Sequence, residues 1–568
     1  MSDYLTEYKR WLELGSAQER SELAGLDQSE IKERFYTELE FGTAGMRGII
    51  RTGTNGMNER TVARATLGLA EFIKAHGEDA ARRGVVISYD SRFKSREFAE
   101  LTARVLAQAG VKAILYDALR PVPLLSFGVR YFKAFAGVMI TASHNPKEYN
   151  GYKVYGGDGA QLAPEAANEV LSQINRLDYF NIPCAQMEDA QLRGLVIYVG
   201  KELDDAYLSF ILPLADMNVI DKQAKKLKFI YTPLHGSGLN SVKSMFNALG
   251  FKNMQLVPEQ CAPDGSFPTV STPNPENADA LQMGIRLADK TGAELVIGTD
   301  PDCDRMGAAV KGRNGEFITL TGNQLGCIML EYRLRSLKSR GLLPKNGVVI
   351  KTIVSTELAR AIANAYGVQL VEVLTGFKFI GEKIKEYERT NEHTFIFGFE
   401  ESFGYLEGTH ARDKDAVVAC MLLAEAACDY ASRGMSFLDG LEHLYEQYGY
   451  YAERTLSFTF EGVQGRQKIK DIMNRLENRP PEHIGGLKVL ALRDYNRSVR
   501  LSGGMEEAIL LPRSNVLYCE LEKNCWFCAR PSGTEPKLKL YLGAHGSSQA
   551  CCQEIMQALL KDAQALIN

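Results

Sequence analysis

The chain has 568 residues, 45% of them apolar, and its 66 Lys and Arg nearly balance 70 Asp and Glu, leaving a net charge of −4. At ~100–200 residues per domain, this length holds about three to five domains with sizeable cores. The balance gives no electrostatic footprint for nucleic acid or an anionic membrane as the main partner, and no apolar run approaches the ~20 residues that span a bilayer.

The first residues, MSDYLTEYKRWLELG, lack the apolar core of a signal peptide. Tyr4, Leu5, Tyr8, Trp11 and Leu12 fall on one helical stripe, which predicts a docked amphipathic helix. Helical patterns around 61–76 and 95–109 flank the strand VVISYDS (85–91). KAILYDA (112–118) and FAGVMI (135–140) continue the alternation, and KFIYTPL (228–234), ELVIGTD (294–300) and GVVIKTIV (347–354) repeat it. Strands this apolar, separated by helical lengths, predict parallel sheets covered on both faces. RTLSFTF (454–460) and KLKLYLG (537–543) instead alternate apolar and polar, as half-buried antiparallel strands do, and a final helix runs from about Ser548 to Leu566. The expected fold class is three related α/β units followed by one α+β unit, with domains at 1–205, 206–321, 322–450 and 451–568. Eleven cysteines without a secretory leader indicate reduced thiols in a cytoplasmic enzyme. Cys525 and Cys528 form a lone C-x-x-C and Cys551 and Cys552 are adjacent; neither has a partner pair at zinc-site spacing, so all four are expected to be buried structural thiols.

Four loops at strand ends carry chemistry. Thr141-Ala-Ser-His-Asn-Pro146 follows FAGVMI, and the carboxyl ends of parallel strands are where ligands gather. Ser143 is expected to be exposed there, as a nucleophile needing activation or as an ordinary helix cap; His144 is adjacent but expected to point away. Gly298-Thr-Asp-Pro-Asp-Cys-Asp-Arg305 places Asp300, Asp302 and Asp304 in one tight turn. Like charges so close call for a cation, and oxygen-only ligands favour Mg²⁺; the alternative is a solvated acidic loop. Arg305 is either the counter-charge of these acids or a contact to a phosphosugar.

Gly398-Phe-Glu-Glu-Ser-Phe-Gly-Tyr405 offers Glu400 and Ser402 to the hydroxyls of a polyol, or is a helix N-terminus with favourable dipole charges. Arg530-Pro-Ser-Gly-Thr-Glu-Pro-Lys537 can aim donors of Ser532, Gly533 and Thr534, with Arg530 and Lys537, at a phosphate. His235 in TPLHGSG either faces a cleft or, as preferred, braces its loop; His410 in GTHARDKD, with Arg412 and Lys414, either adds to a phosphate field or, as preferred for the two basic residues, leaves them to balance Asp413 and Asp415.

TASHNP, GTDPDCDR, GFEESFGY and RPSGTEPK, in this order and from about Phe41 to the C-terminus, resemble the α-D-phosphohexomutase superfamily and its phosphoglucomutase branch in particular. The resemblance implies four domains in a heart-shaped arrangement, the first three related α/β domains with mixed sheets and the last an α+β domain of the TATA-box-binding-protein-like type. It implies a phosphoserine at Ser143 and Mg²⁺ held by Asp300, Asp302, Asp304 and that phosphate. It assigns Glu400 and Ser402 to sugar hydroxyls, and Arg530, Ser532, Gly533 and Thr534 to the non-transferring phosphate. Arg47 in FGTAGMRG matches a basic residue near the phosphoserine, and Lys153 in YNGYKVY and Lys378 in LTGFKFI match family lysines near the substrate; Lys153, Lys378 and His144 all stay open as the general base. The implied reaction interconverts glucose 1-phosphate and glucose 6-phosphate through glucose 1,6-bisphosphate. Pentose or mannose phosphates, or bisphosphate synthesis, remain alternatives with the same chemistry, and a non-catalytic sugar-phosphate-binding relative is a remote one. Small sugar phosphates are the expected partners, without nucleic acid or membrane, in a monomer or a dimer. Cys303 stands where an alanine is usual, and the sugar loop reads EES rather than the EMS of dual mannose/glucose mutases.

Overall fold

Ser16, Asp27 and Asn58 each accept a hydrogen bond from backbone N–H groups of the turn they precede, and so start the helices Ala17–Ala24, Gln28–Phe35 and Glu59–Ala75. The computed structural model describes residues 4–42, 45–460, 462–532 and 537–567, apart from the side chains of 462–464 and 466. The chain divides into two units. One comprises Met1–Leu320, Ile380–Asn391 and Ser402–Arg433; the other comprises Thr321–Phe379, Glu392–Glu401 and Gly434–Asn568.

In the first unit the N-terminal helix forms over Tyr4–Leu14. Trp11 is fully buried among Leu23, Ile31, Phe35 and Tyr179, with Tyr4, Tyr8 and Leu12 against them. Leu5 departs from the expected stripe and is 41% exposed; it lies one position, about 100° of helix, from Tyr4.

Two mixed sheets follow. The first holds β1 (Met46–Ile49), β2 (Val85–Tyr89), β3 (Ala113–Tyr116), β4 (Ala136–Ile140), β5 (Tyr149–Gly156) and β6 (Val196–Val199), in the order β1-β5-β4-β2-β3-β6. The second holds β7 (Phe229–Thr232), β8 (Met254–Leu256), β9 (Leu295–Thr299), β10 (Met306–Lys311) and β11 (Phe317–Thr319), in the order β11-β10-β9-β7-β8. Strands β2, β3, β4, β7 and β9 are buried at every residue, which explains their unbroken apolar spelling. In each sheet the first three parallel strands lie in the order second-first-third, and the chain then turns back into an antiparallel strand; in the first sheet β6 later adds a fourth parallel strand beside β3. TASHNP is the turn-back loop of the first sheet and GTDPDCDR that of the second.

The second unit opens with the same arrangement: β12 (Gly347–Thr352), β13 (Gln369–Val373) and β14 (Thr394–Glu400) are parallel in the order β13-β12-β14. GFEESFGY follows β14 and leads to β15 (Gly404–Glu407), in the first unit. The rest is an antiparallel sheet, as the alternation predicts. It contains β16 (Tyr450–Thr459), β17 (His483–Ile484), β18 (Leu487–Asp494), β19 (Val499–Ser502), β20 (Met505–Ala508), β21 (Leu517–Leu521), β22 (Trp526–Pro531) and β23 (Lys537–Gly546), in the order β16-β23-β22-β21-β18-β19-β20 with β17 beside β18.

Ile472, Met473, Met556 and Leu559 from the helices Gly462–Asn478 and Gln549–Ala565 pack with Phe527, Leu540 and Leu542 in one core. Trp526, Cys528 and Tyr541 point to the other face and pack with Ile353, Val354 and Leu374. Cys525 and Cys528 therefore sit in different cores, and a metal shared between them is ruled out by the pleat. Among the described residues no helix is long and apolar enough to cross a membrane.

Gly543 lies opposite Trp526, and a Cβ there would stand 2.0 Å from the indole Nε1. Gly543→Ala is expected to cost about 1–3 kcal/mol in chemical denaturation, because the strand pair has no slack for one methyl. On the neighbouring strand, burial pushes the Glu453 carboxyl up to about 7, against hydrogen bonds from Thr356 and Asn323 that favour its charged form. Its contribution to stability is complete below the ordinary carboxyl range and is lost as pH rises to about 7. Glu453→Gln is expected to flatten that stretch of a thermal-midpoint profile and to raise the midpoint at pH 8.

Candidate active site

Each of the three strand-end loops contains a non-glycine residue in the left-handed region, three or four positions beyond its strand: Ser143 (φ 53°), Cys303 (φ 51°) and Phe403 (φ 64°). Such backbone persists only where surrounding contacts over-determine it, and it clusters at functional sites. In the first unit two of these loops meet. Ser143 Oγ donates to Asp300 Oδ2 at 2.8 Å. Asp300 Oδ1 accepts the backbone N–H groups of Asp304 and Arg305 at 3.1 and 3.0 Å, which fixes the tight turn. The Val122 N–H, at the start of the helix Val122–Tyr131, donates to the carbonyl of Asp302 at 2.9 Å and ties the acidic turn to the first sheet's layer.

The three carboxylates are buried and each offers an oxygen within 4.8 Å of the others. Lys153 Nζ lies 2.8 Å from Asp302 Oδ2 and 3.7 Å from Asp304 Oδ2, and Lys414 Nζ lies 3.2 Å from Asp304 Oδ2. Burial, and then the charges of Asp302 and Asp304, push the Asp300 carboxyl well above its ordinary range. Burial acts on Asp304 in the same sense, but Lys414, Lys153 and Arg305 outweigh it and hold that carboxyl below the usual value. Asp302 Oδ1 and Asp304 Oδ1 are buried and accept no hydrogen bond. Unsatisfied hard-oxygen donors, all carboxylate, fit a small divalent cation.

Ser143 is 3% exposed, not exposed as expected, because its loop is folded under the acidic turn. His144 does not point away: the left-handed φ of Ser143 brings its Nδ1 to 3.2 Å from Ser143 Oγ. Burial, then the charges of Arg305 and Arg47, hold the imidazole well below its ordinary pKa, so it is uncharged at neutral pH. Arg47, on β1, donates to Asn145 of the serine loop at 3.0 Å. Arg305 forms an ion pair with Glu276. Ser402 is half-buried, and beyond it Phe403 O accepts the N–H of Met306 at 3.1 Å, so the end of GFEESFGY lies along the acidic turn.

The expected balance of Arg412 and Lys414 by Asp413 and Asp415 is only partly present. Lys414 spans Asp413 and Asp304, Arg412 pairs with Glu388, and Asp415 takes His410 and Tyr207. Sequence reasoning thus left a lysine of the acidic cluster outside the site; its spelling, one charge in an alternating run, carried no signal of its reach. His235 braces its loop as expected, through Ala262 O at 3.2 Å and Thr269 Oγ1 at 2.8 Å.

The second unit carries Lys378, Glu400, Arg530, Ser532 and Lys537. Glu400 Oε1 accepts the Gly376 N–H at 2.8 Å, just before the turn that begins the helix Phe377–Thr390 and carries Lys378. Burial raises the neighbouring Glu401 carboxyl, against a hydrogen bond from Thr352 Oγ1 at 3.1 Å and the positive charges of Lys539 on β23 and Arg530 on β22. The Ser532 N–H donates to Lys537 O at 2.8 Å and closes the RPSGTEPK loop, whose Gly533 and Thr534 lie outside the described residues.

Repeated α/β sheets with a buried serine hydroxyl against an acidic cation cradle define a phosphoryl-transfer class of site. Models of the phosphoglucomutase/phosphomannomutase α/β/α domains I, II and III match residues 38–180, 205–315 and 321–448. A phosphoglucomutase of Staphylococcus epidermidis is 38% identical over 518 residues, 90% of this chain and 92% of its own. The fold is shared with the Paramecium phosphoprotein pp63/parafusin, a phosphoglucomutase (TM-score 0.69, 16% identity, 93% of this chain and 96% of that one). It is also shared with a phosphoglucomutase/phosphomannomutase family protein of Burkholderia thailandensis (TM-score 0.65, 18% identity, 93% and 97%). The chain belongs to the phosphoglucomutase/phosphomannomutase family.

Lys153→Met would leave Asp302 and Asp304 short of a buried counter-charge. Metal-free protein is expected to lose up to about 3–5 kcal/mol in denaturation, and saturating Mg²⁺ to restore part of it.

Proposed function

We infer that the chain interconverts α-D-glucose 1-phosphate and glucose 6-phosphate through a phosphate ester on Ser143, with glucose 1,6-bisphosphate as intermediate and activator. It is an isomerase of the intramolecular phosphotransferase kind. The observation that carries the reading is Ser143 Oγ at 2.8 Å from Asp300 inside a buried acidic cluster with two unsatisfied oxygens.

In the first half-reaction the 6-hydroxyl oxygen of glucose 1-phosphate attacks the phosphorus of the ester. The new O–P bond forms as the Ser143 Oγ–P bond breaks; the sugar hydroxyl gives up its proton, Ser143 regains one, and the bisphosphate results. After the bisphosphate turns end for end, Ser143 Oγ attacks the phosphorus at C1. The C1 oxygen leaves and takes a proton, and glucose 6-phosphate departs with the ester restored. Asp300, Asp302 and Asp304, with an oxygen of the Ser143 ester, would hold Mg²⁺, which when bound would supply positive charge against the negative charge on the transferring phosphoryl group.

The chain's own side chains do the rest. Neutral His144 is placed to hold or take the Ser143 proton. Lys153 and Lys414 offset the acids, and Arg47 steadies the serine loop through Asn145. Lys378, Glu400 and Ser402 are assigned to the sugar, and Arg530, Ser532, Gly533, Thr534 and Lys537 to the phosphate that does not transfer. A clamp of donors reads a phosphate and not a ring position, so it accepts either end of the bisphosphate.

Ser143→Ala is expected to lower turnover of glucose 1-phosphate by about 10³-fold or more. Intact-mass measurement after incubation with glucose 1,6-bisphosphate should show one added phosphoryl group on the parent and none on the variant. Substantial residual turnover would sink the covalent role, and a preference of about tenfold for ribose 1-phosphate would overturn the choice of sugar. Asp302→Asn should weaken the Mg²⁺ dependence of turnover, read as a shifted metal titration.

A further inference from the structure

The Ser143 loop is held from behind by a side chain that no substrate can reach. Arg92, just past β2, has a side chain with 0% exposure. Its Nη1 donates to the carbonyls of Pro146 at 2.8 Å and Tyr149 at 3.1 Å; its Nη2 donates to those of Ser143 and Asn145. All four Nη hydrogens are committed to the backbone of a single loop, and Nε lies 3.4 Å from Asp90 Oδ2.

Asp90 is keyed in turn. It accepts from Ser95 Oγ at 2.7 Å, from the Arg92 N–H at 2.9 Å and from Thr141 Oγ1 at 2.6 Å, and Thr141 Oγ1 accepts the Ser143 N–H at 2.8 Å. One buried ion pair therefore fixes both polar backbone groups of Ser143: the N–H through Thr141 and the carbonyl through Arg92. Those are the groups whose placement sets a left-handed residue.

The far face of the guanidinium is covered from the other sheet's layer. The Phe267 ring lies 5.0 Å from Arg92 Cζ. Its loop comes so close that a Cβ on Gly265 would stand 2.5 Å from the Phe93 nitrogen. His235, from the loop after β7, pins the two ends of that segment at Ala262 and Thr269. The stack runs from the sheet that delivers Asp300, through Phe267 and Arg92, to the carbonyl of Ser143.

We propose that Arg92, set by Asp90 and Phe267, is a positioning residue that aims Ser143 Oγ at the acidic cluster. It acts through the loop backbone and makes no contact with sugar or phosphate. This rests on Ser143 as the phosphoryl acceptor. A fork that gathers four carbonyls cannot be replaced by an ammonium with three hydrogens, although the charge is kept.

The test compares parent, Arg92→Lys, Phe267→Leu and Ser143→Ala. It follows phosphorylation by glucose 1,6-bisphosphate with time-resolved intact mass, and kcat and KM for glucose 1-phosphate. A displaced nucleophile costs about 10²-fold, so Arg92→Lys should lower kcat and the phosphorylation rate by that order while KM stays within about threefold. Phe267→Leu, which leaves the ion pair intact, should lower both rates about tenfold. A folded Arg92→Lys that is phosphorylated at the parent rate, or whose loss lies in KM alone, overturns the proposal. If that variant does not fold, a parent-like rate for Phe267→Leu overturns it instead. Failure of the parent itself to take up a phosphoryl group would refute the acceptor role of Ser143, a result distinct from either.

Discussion

Ser143 Oγ and Asp300 Oδ2 meet at 2.8 Å across 157 residues of chain, and the rest of the first unit's site is arranged around that meeting. Three carboxylates buried in one turn form an arrangement that a protein cannot keep fully charged on its own. Desolvation disfavours each charge, and each charge disfavours the next. Lys153 and Lys414 are shared among the acids, while Arg305, 3.9 Å from Asp304 Oδ1, divides its charge with Glu276. The remainder of the conflict falls on Asp300, whose carboxyl is driven well above its ordinary range. A cation taken up by the unsatisfied oxygens of Asp302 and Asp304 removes that conflict, and brings positive charge to the place where the serine oxygen already points.

The scaffold reaches this arrangement by using one connection repeatedly. The parallel order second-first-third recurs in three sheets, and the loop after the third strand is each time the one that holds a left-handed, non-glycine residue. A strand buried on both faces is a rigid mount, and its carboxyl end is the place where a side chain can leave the layer. A left-handed residue in each loop turns the chain sharply enough to point a side chain back across the strand ends. From that common geometry the chain makes a buried seat for Ser143, an acidic turn that fits a cation, and the loop that holds Glu400 and Ser402. The antiparallel sheet at the C-terminus places Arg530 and Lys537 on two paired strands, β22 and β23, a different device from the turn-back loops of the α/β sheets.

What the sequence disclosed follows from the range of the forces involved. β2, β4, β7 and β9 were legible because burial on both faces writes itself as unbroken apolar runs. The acidic turn was legible because charge crowding is local in sequence. The burial of Ser143 and its contact with His144 were not, since both depend on a left-handed turn held by Arg92, 51 residues earlier. Arg92 itself, in YDSR, is spelled like any surface arginine. The helices Ala17–Ala24 and Gln28–Phe35 escaped for another reason. Their hydrophobic pattern is short, yet the reciprocal caps Ser16 with Glu19 and Asp27 with Glu30 stand plainly in the letters. A search for capping boxes finds what a search for periodicity does not.

The same turn geometry bears on which ion the cradle accepts. Cys303 sits between two of the acids, in place of a usual alanine, and a thiol there could have drawn a softer metal. Its backbone is left-handed, and its sulfur is turned instead into the space beside Gly238, where a Cβ would meet Tyr231 OH, Cys303 Sγ and Thr299 Oγ1 all within 2.9 Å. Burial pushes the thiol well above its ordinary pKa, so it stays protonated and is no thiolate donor. Gly238 must lack a side chain for this packing, which ties the loop after β7 to the spelling of the acidic turn. Within the acidic turn the donors left for a cation are the carboxylate oxygens of Asp300, Asp302 and Asp304, and their fit to a hard ion comes as much from where the sulfur is sent as from the acids that remain.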